Sequence, residues 1–183
     1  ADFWNDDARM IFPSVVVAGG RPEVEFQELR TDTADHAPGV PYSFSGVSFG
    51  AAHVRRHVLV FAGLGGTGAI FAPTAVTVAG VAATQVANQF WAVPLPTGTT
   101  GTVEMSGGNA FNGTIVVWAL YKFRSMTAVD ANRNPFPFPI SIDATSQGFV
   151  FGMARGIVGT TDVVWSGLTE DAEFTLEGGF RTA

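Results

Sequence analysis

Most of the chain consists of short apolar runs separated by Gly, Pro, Thr and Asn. From about residue 11 onward these runs are rich in β-branched and aromatic residues and are four to eight residues long. Runs of this length between turn-forming residues predict β-strands. The predicted strands are 11–18, 24–29, 42–49, 57–62, 75–78, 82–87, 90–94, 101–105, 114–123, 140–143, 149–154, 162–165 and 173–176. No segment has the capping and periodicity of an ordinary helix, so the pattern predicts an all-β protein.

Two kinds of strand are distinguishable. Residues 42–45 alternate large apolar side chains with serine, as expected for a strand with one buried face, and Gly46 then shifts the phase as a β-bulge would. Residues 57–62 and 115–120 are instead apolar throughout. Strands of that type are covered on both faces, so both runs are predicted to be central strands with a further contact outside the sandwich.

The turn-rich segments between the predicted strands indicate the architecture. Residues 63–68, 96–101 and 106–109 are rich in turn-forming residues between predicted strands. Many short strands with regular turns are typical of a sandwich or barrel. We predict a two-sheet antiparallel β-sandwich with jelly-roll-like strand exchange, forming a single domain over residues 13–183. A short N-terminal arm over residues 1–12 precedes it.

The chain is unusually poor in charge. Charged residues make up 14% of the sequence and the net charge is −6, whereas ordinary soluble domains contain about 25% charged residues. Weakly charged exteriors promote association, so we expect part of the surface to be covered in an assembly. The longest basic run is the pair Arg55 and Arg56, which argues against nucleic-acid binding and against anionic membranes.

Other compositional features exclude whole classes of chemistry. The chain has no cysteine, which excludes disulfides, thiolate zinc sites and cysteine nucleophiles. No apolar run approaches the ~18 residues of a membrane-spanning helix, so we expect no membrane insertion. The first residues lack the basic-then-apolar order of a signal peptide. Either a leader has been removed, or the protein is made in a cytoplasm and leaves by a route such as lysis.

Candidate loop sites each lack a required part. The glycine-rich residues 63–68 are followed by neither lysine nor a helical pattern, so they predict a hairpin or loop rather than a phosphate site. Residues 130–134 alternate oxygen-bearing side chains as a calcium loop does, but Pro135 replaces the required glycine and Ser141 the bidentate acid. The segment therefore predicts turn chemistry.

Catalytic side chains are equally sparse. Glu170, Asp171 and Glu173 form an acidic cluster that a polysaccharide hydrolase could use as acid and base. Adjacent carboxylates on a turn are more often simply solvated. His53 and His57 lie close together without a third metal ligand nearby. We therefore predict no enzyme activity, no cofactor and no metal.

The aromatic residues point to interfaces. Sixteen Phe and four Trp far outnumber two Tyr, which favours core and dry contacts over sugar platforms. The prolines of residues 131–139 exclude a central strand, and this segment is predicted to be a crossover or an exposed arm. The interface candidates are Phe3, Trp4, Phe12, Phe136 and Phe138. The alternative is a carbohydrate-binding module or adhesin tip, with Trp91 and Trp165 contacting glycan.

Several stretches carry a family resemblance: residues 45–52, 76–84, 94–103, 116–121 and 165–171. In this order they resemble β-rich accessory virion proteins of tailed phages and of gene-transfer-agent-like particles of alphaproteobacteria. The resemblance covers roughly residues 42–181 and contains no catalytic motif. It implies a structural virion protein, as a head-decoration, fibre or tail component. Such a protein would be synthesised in the host cytoplasm and would contact its own copies and other virion proteins, with host surface glycan as a further candidate partner.

Overall fold

The structure is a computed structural model that describes residues 10–18, 23–34, 36–37, 39–66, 69–107, 112–123, 125–131 and 148–155. Within these residues the chain is all-β, with thirteen strands and no helix. The strands are β1 (Met10–Ala18), β2 (Glu23–Asp32), β3 (Tyr42–Ser48), β4 (Arg56–Gly66), β5 (Ala69–Phe71), β6 (Ala75–Val78), β7 (Val81–Ala82), β8 (Thr84–Ala87), β9 (Phe90–Pro94), β10 (Thr100–Ser106), β11 (Asn112–Tyr121), β12 (Ala128–Ala131) and β13 (Gly148–Arg155).

Two antiparallel sheets form the predicted sandwich. One has the order β2-β11-β4-β9-β8, with β5 paired to the end of β4, and the other has the order β3-β10-β6-β7. Successive strands exchange between the sheets, because β3 leaves the first sheet between β2 and β4, and β10 leaves it between β9 and β11. This exchange and these orders are those of a jelly roll. The predicted fold class is confirmed.

The two apolar runs occupy the centre of the larger sheet, as β4 and β11. Their side chains alternate between two cores: Val58 and Val117 face the other jelly-roll sheet, whereas Leu59 and Trp118 face the opposite side. The opposite side is covered by a third sheet with the order β12-β1-β13, whose Phe151 ring lies 5.5 Å from that of Trp118. The prediction of strands covered on both faces is confirmed, and the chain itself supplies this cover.

Two local predictions from glycine are also confirmed. In the β3–β10 ladder Phe44 is opposite Val103 and Val47 is opposite Gly101, so two residues of β3 share one position of β10. Gly46 has φ 67 at this bulge, a backbone region that glycine adopts without steric cost. The glycine-rich run after Ala62 extends β4 to Gly66 and pairs with β5 as a hairpin.

Some predicted boundaries differ from the structure. The short strands β5 and β12 were not predicted, because runs of three or four residues give little periodicity. Residues 10–12, predicted to be part of the arm, belong to β1, and Phe12 is opposite Met153 of β13. These three residues continue the β1–β13 ladder, as the predicted strand 11–18 already implied for residues 11 and 12. The predicted strands 140–143, 162–165 and 173–176 lie outside the described residues.

Candidate functional site: the Arg56 end

Three connections meet at one end of the sandwich. They are residues 49–55 between β3 and β4, residues 79–80 between β6 and β7, and residues 95–99 between β9 and β10. Backbone hydrogen bonds tie this end together, from Phe49 N to Thr99 O at 2.8 Å and from Ala79 N to Thr102 O at 2.7 Å. We call these three connections the Arg56 end, after the side chain that organises two of them.

Arg56 is the first residue of β4, and its side chain is buried, with 1% exposed. It donates from Nε to Leu95 O at 2.7 Å, from Nη1 to Gly50 O at 2.8 Å, and from Nη2 to Thr97 O at 2.9 Å and Gly98 O at 2.6 Å. Burial lowers the pKa of the guanidinium, which nevertheless stays protonated near neutral pH. A single cation therefore joins residues 49–55 to residues 95–99 through backbone carbonyls.

The neighbouring phenol adds a second tie. Tyr121 Oη lies 3.1 Å from the carbonyl oxygen of Ala51 and 3.3 Å from Glu25 Oε2. Burial raises the pKa of Tyr121, and the carboxylate of Glu25 adds to the increase. Tyr121 is therefore a neutral hydrogen-bond donor at physiological pH, which suits a structural tie and not a general base. No carboxylate within the described residues forms an ion pair with Arg56 itself.

The outer part of the Arg56 end is rigid but exposed. Arg56 N donates to His53 O at 2.9 Å and Arg55 N to His53 Nδ1 at 3.1 Å, which closes a tight turn. Val54 at the tip of this turn is 82% exposed. Alanines 51 and 52, Arg55 and residues 96–99 are also exposed. The result is a protruding tip of small and apolar residues whose backbone is fixed from below.

The outer face of the β3-β10-β6-β7 sheet is a second distinct surface. Alternation in the strands directs Ser43, Ser45, Glu104, Ser106, Ala75 and Thr77 away from the core. Glu104 is the one charged residue in these four strands. It accepts a 3.4 Å hydrogen bond from Thr77 Oγ1. This face is flat, hydroxyl-rich and carries a single central charge; we call it the Glu104 face.

One side of the sandwich, between β2 and β3, is closed by polar side chains. Arg30 donates to Ser45 O at 2.6 Å and to Gly46 O at 3.1 Å, and Glu28 accepts from Ser48 N at 2.9 Å. Arg30 and Glu28 also form an ion pair with each other. These contacts occupy backbone groups of an edge strand that would otherwise be open to strand addition.

The other side is closed by the chain itself. It passes from β7 in one sheet to β8 in the other through Ala83 alone. The two edge strands there are only two and four residues long. Short edge strands are poor templates for pairing. The Arg56 end and the Glu104 face are therefore better candidates for contacts with a partner than the edges of the sheets.

The predicted contact residues fare differently. Trp91 is 6% exposed and packs in the core between the two jelly-roll sheets. Its assignment as a glycan contact is wrong, because a ring buried in the core cannot contact a sugar. Phe12 lies in β1. The other candidates lie outside the described residues: Phe3, Trp4, Phe136, Phe138, Trp165, Glu170, Asp171 and Glu173.

The role of Arg56 as an organising residue was not predicted from the sequence, in which the Arg55–Arg56 pair was considered only as the longest basic run. A signal was present, since period two places Arg56 on the same face as Val58 and Val60, both core residues. Within the described chain no group of three or more metal-ligating side chains occurs.

The fold and this surface define a jelly-roll sandwich with one rigid, exposed loop end. Comparison of the chain with protein-family models, curated proteins and solved structures finds no match. Over the described residues, no helix has the length and apolar character needed to cross a bilayer.

Proposed function

We propose that this chain is a non-enzymatic structural protein of a phage-like virion, and that it acts through protein–protein contacts made by the Arg56 end. The observation that carries the proposal is the buried guanidinium of Arg56, which donates to four backbone carbonyls in two exposed connections. The proposal covers a head-decoration, fibre or tail position.

The energetics of Arg56 support a contact role. Removing a charge from water costs several kcal/mol unless good hydrogen bonds compensate, and apolar residues often stabilise a core as well or better. What the guanidinium adds is a fixed geometry for residues 49–55 and 95–99. Binding residues are disproportionately found on loops held by a rigid scaffold, and a pre-formed loop loses less entropy when a partner binds.

The virion part of the proposal rests on the resemblance over residues 42–181 and on the low charge of the chain. Jelly rolls occur in viral capsid and lectin domains, but a fold does not imply a function. The apolar strands β4 and β11 no longer argue for an outside partner, because the chain covers both of their faces. The proposed contacts with a partner are therefore made by exposed loops and not by apolar strand faces.

The experiment compares two exposed valines. Val54, 82% exposed, lies at the Arg56 end, and Val40, 51% exposed, lies in the β2–β3 connection at the opposite end. Each is changed to aspartate in the genome that encodes the protein, and its copy number in purified particles is measured by quantitative mass spectrometry. We expect Val54→Asp to reduce incorporation strongly and Val40→Asp to leave it unchanged.

Both variants should unfold at the wild-type urea concentration, because neither valine contributes to the core. Absence of the wild-type chain from purified particles would contradict the virion function. Equal incorporation of both variants would instead show that the Arg56 end is not the contact surface.

A further inference from the structure

The Arg56 end carries an isolated cation. Arg55 is exposed beside Val54, and within the described residues its side chain forms no ion pair. Three other cations of the described residues already have partners: Lys122 pairs with Glu23, Arg30 pairs with Glu28, and Arg56 donates to backbone carbonyls. As far as the described residues go, no carboxylate of the chain occupies Arg55.

The Glu104 face carries an isolated anion. Glu104 is exposed at the middle of the face, opposite Ser43 of β3 and Thr77 of β6 in the two ladders. In the part of the chain that the structure describes, it forms no ion pair. The small residues around it leave the carboxylate open to approach by a protruding loop.

We propose that the Arg56 end of one copy docks on the Glu104 face of a second copy, with Arg55 paired to Glu104. This rests on the proposed function and names the partner of the same surface. The tip and the face are complementary in charge: the one charged residue of the three connections is Arg55, and the one charged residue of the four strands is Glu104. Electrostatic complementarity of this kind fixes partner choice and orientation more than it adds affinity.

The geometry determines the type of assembly. The two surfaces differ, so the contact is heterologous, and repeated head-to-face contacts generate a closed ring or an open filament. Four strands at the usual spacing make a face about 15 Å wide, and its longest strands, of seven residues, are about 24 Å long. The face therefore offers about 360 Å², less than half of the ~800 Å² per partner of a standard interface. Each contact is therefore weak, and assembly depends on many copies acting together.

The test is a charge swap followed by sedimentation velocity over a wide range of protein concentrations. We expect the wild-type chain to form larger species as concentration rises, and added salt to weaken them. Arg55→Glu or Glu104→Arg alone should raise the apparent dissociation constant by about tenfold, because each reversal replaces an attraction with a repulsion. The double variant, with both charges exchanged, should recover wild-type association.

Matched controls separate the pair from net charge. Lys122→Glu changes net charge as Arg55→Glu does, and Glu23→Arg changes it as Glu104→Arg does. Both control residues lie in an exposed ion pair elsewhere on the chain. All four single variants should keep the wild-type urea midpoint, since the altered side chains are exposed. The two controls should associate as the wild type does.

Two results would overturn the inference. One is a wild-type chain that stays monomeric at every concentration, and the other is association that neither reversal weakens. The valine experiment distinguishes these from failure of the proposed function. If Val54→Asp still reduces incorporation into particles while self-association fails, the partner is a different virion protein.

Discussion

Two regions of this sandwich use the same chemistry under different conditions. At the Arg56 end and along the β2–β3 side, an arginine donates to backbone carbonyls of a neighbouring segment. Arg56 is buried and has no carboxylate partner among the residues that the structure describes, whereas Arg30 is partly exposed and is also paired with Glu28. Arg56 binds four carbonyls and Arg30 binds two.

The difference shows how burial decides what a hydrogen bond contributes. Exposed donors and acceptors exchange easily with water, so their net contribution is small. Buried groups cannot recover their hydrogen bonds from water, so losing a partner costs the desolvation of whatever remains. The Arg56 contacts should therefore define a conformation, and the Arg30 contacts should mainly protect an edge.

The largest expected effect is that of Arg56→Ala. It removes the shared donor for four carbonyls and leaves a cavity, so the free energy of unfolding should fall by about 3 kcal/mol. Urea unfolding measures this loss, and amide hydrogen exchange should accelerate in residues 49–55 and 95–99. Arg56→Lys should recover little, because a compact ammonium cannot reach carbonyls spread around a planar fork. A loss below 1 kcal/mol would show that Arg56 does not hold the two connections together.

Gly50→Ala should have the next largest effect. Gly50 has φ +73, and a Cβ there would lie 2.6 Å from Tyr121 Oη and 3.0 Å from Ala119 Cβ. Backbone strain and overpacking together should cost about 2–3 kcal/mol. Gly80→Ala is the matched control, because Gly80 has φ +77 with no atom within 4 Å, and strain alone should cost about 1 kcal/mol. Equal losses would show that the close packing around Gly50 contributes nothing.

His57 should make the stability of the fold depend on pH. Burial lowers the pKa of His57 from its ordinary 6.5, and its buried Nδ1 has no hydrogen-bond partner among the described residues. Above pH 6.5 the ring is neutral in both states. Below it the unfolded chain takes up a proton that the folded chain resists, so the free energy of unfolding decreases as pH falls.

Urea unfolding at several pH values between 7 and 5 measures this slope, a range in which histidine titrates. His57→Phe should flatten this slope, because it removes the buried imidazole. An unchanged slope in His57→Phe would show that another group causes the decrease.

Arg30→Ala should have the smallest effect. Its contacts are partly solvated, so the free energy of unfolding should fall by less than about 1 kcal/mol, and added salt should reduce the difference. The Arg56→Ala loss should not depend on salt in this way. A larger loss for Arg30→Ala than for Arg56→Ala would reverse the comparison.

Most strands and the sandwich architecture could be predicted from the sequence, whereas the contacts that shape the surface could not. The alternation in residues 42–45, the phase shift at Gly46 and the unbroken runs in β4 and β11 all reflect local side-chain periodicity, which a sequence displays directly. What covers the outer face of β4 and β11 depends on a pairing between β1 and β13, far apart in the chain. Periodicity reports that a face is buried but not by what.

Arg56 illustrates the same limit at the site. Its four acceptors are backbone carbonyls from two loops, and carbonyls have no sequence signature. Trp91 shows the converse, because its type suggested a sugar platform while its position in β9 directs the ring into the core. Residue type alone distinguished neither the buried cation nor the buried ring.

The crossover at Ala83 makes the two sides of the sandwich mechanically unequal. On that side a single residue joins the two sheets, whereas on the β2–β3 side the connection is nine residues long, from 33 to 41, and side chains hold the two strands together. We therefore expect a partial separation of the sheets to begin between β2 and β3 and to pivot about Ala83. A pulling force or a protease would meet its weakest point along the seam that Arg30 and Glu28 hold together.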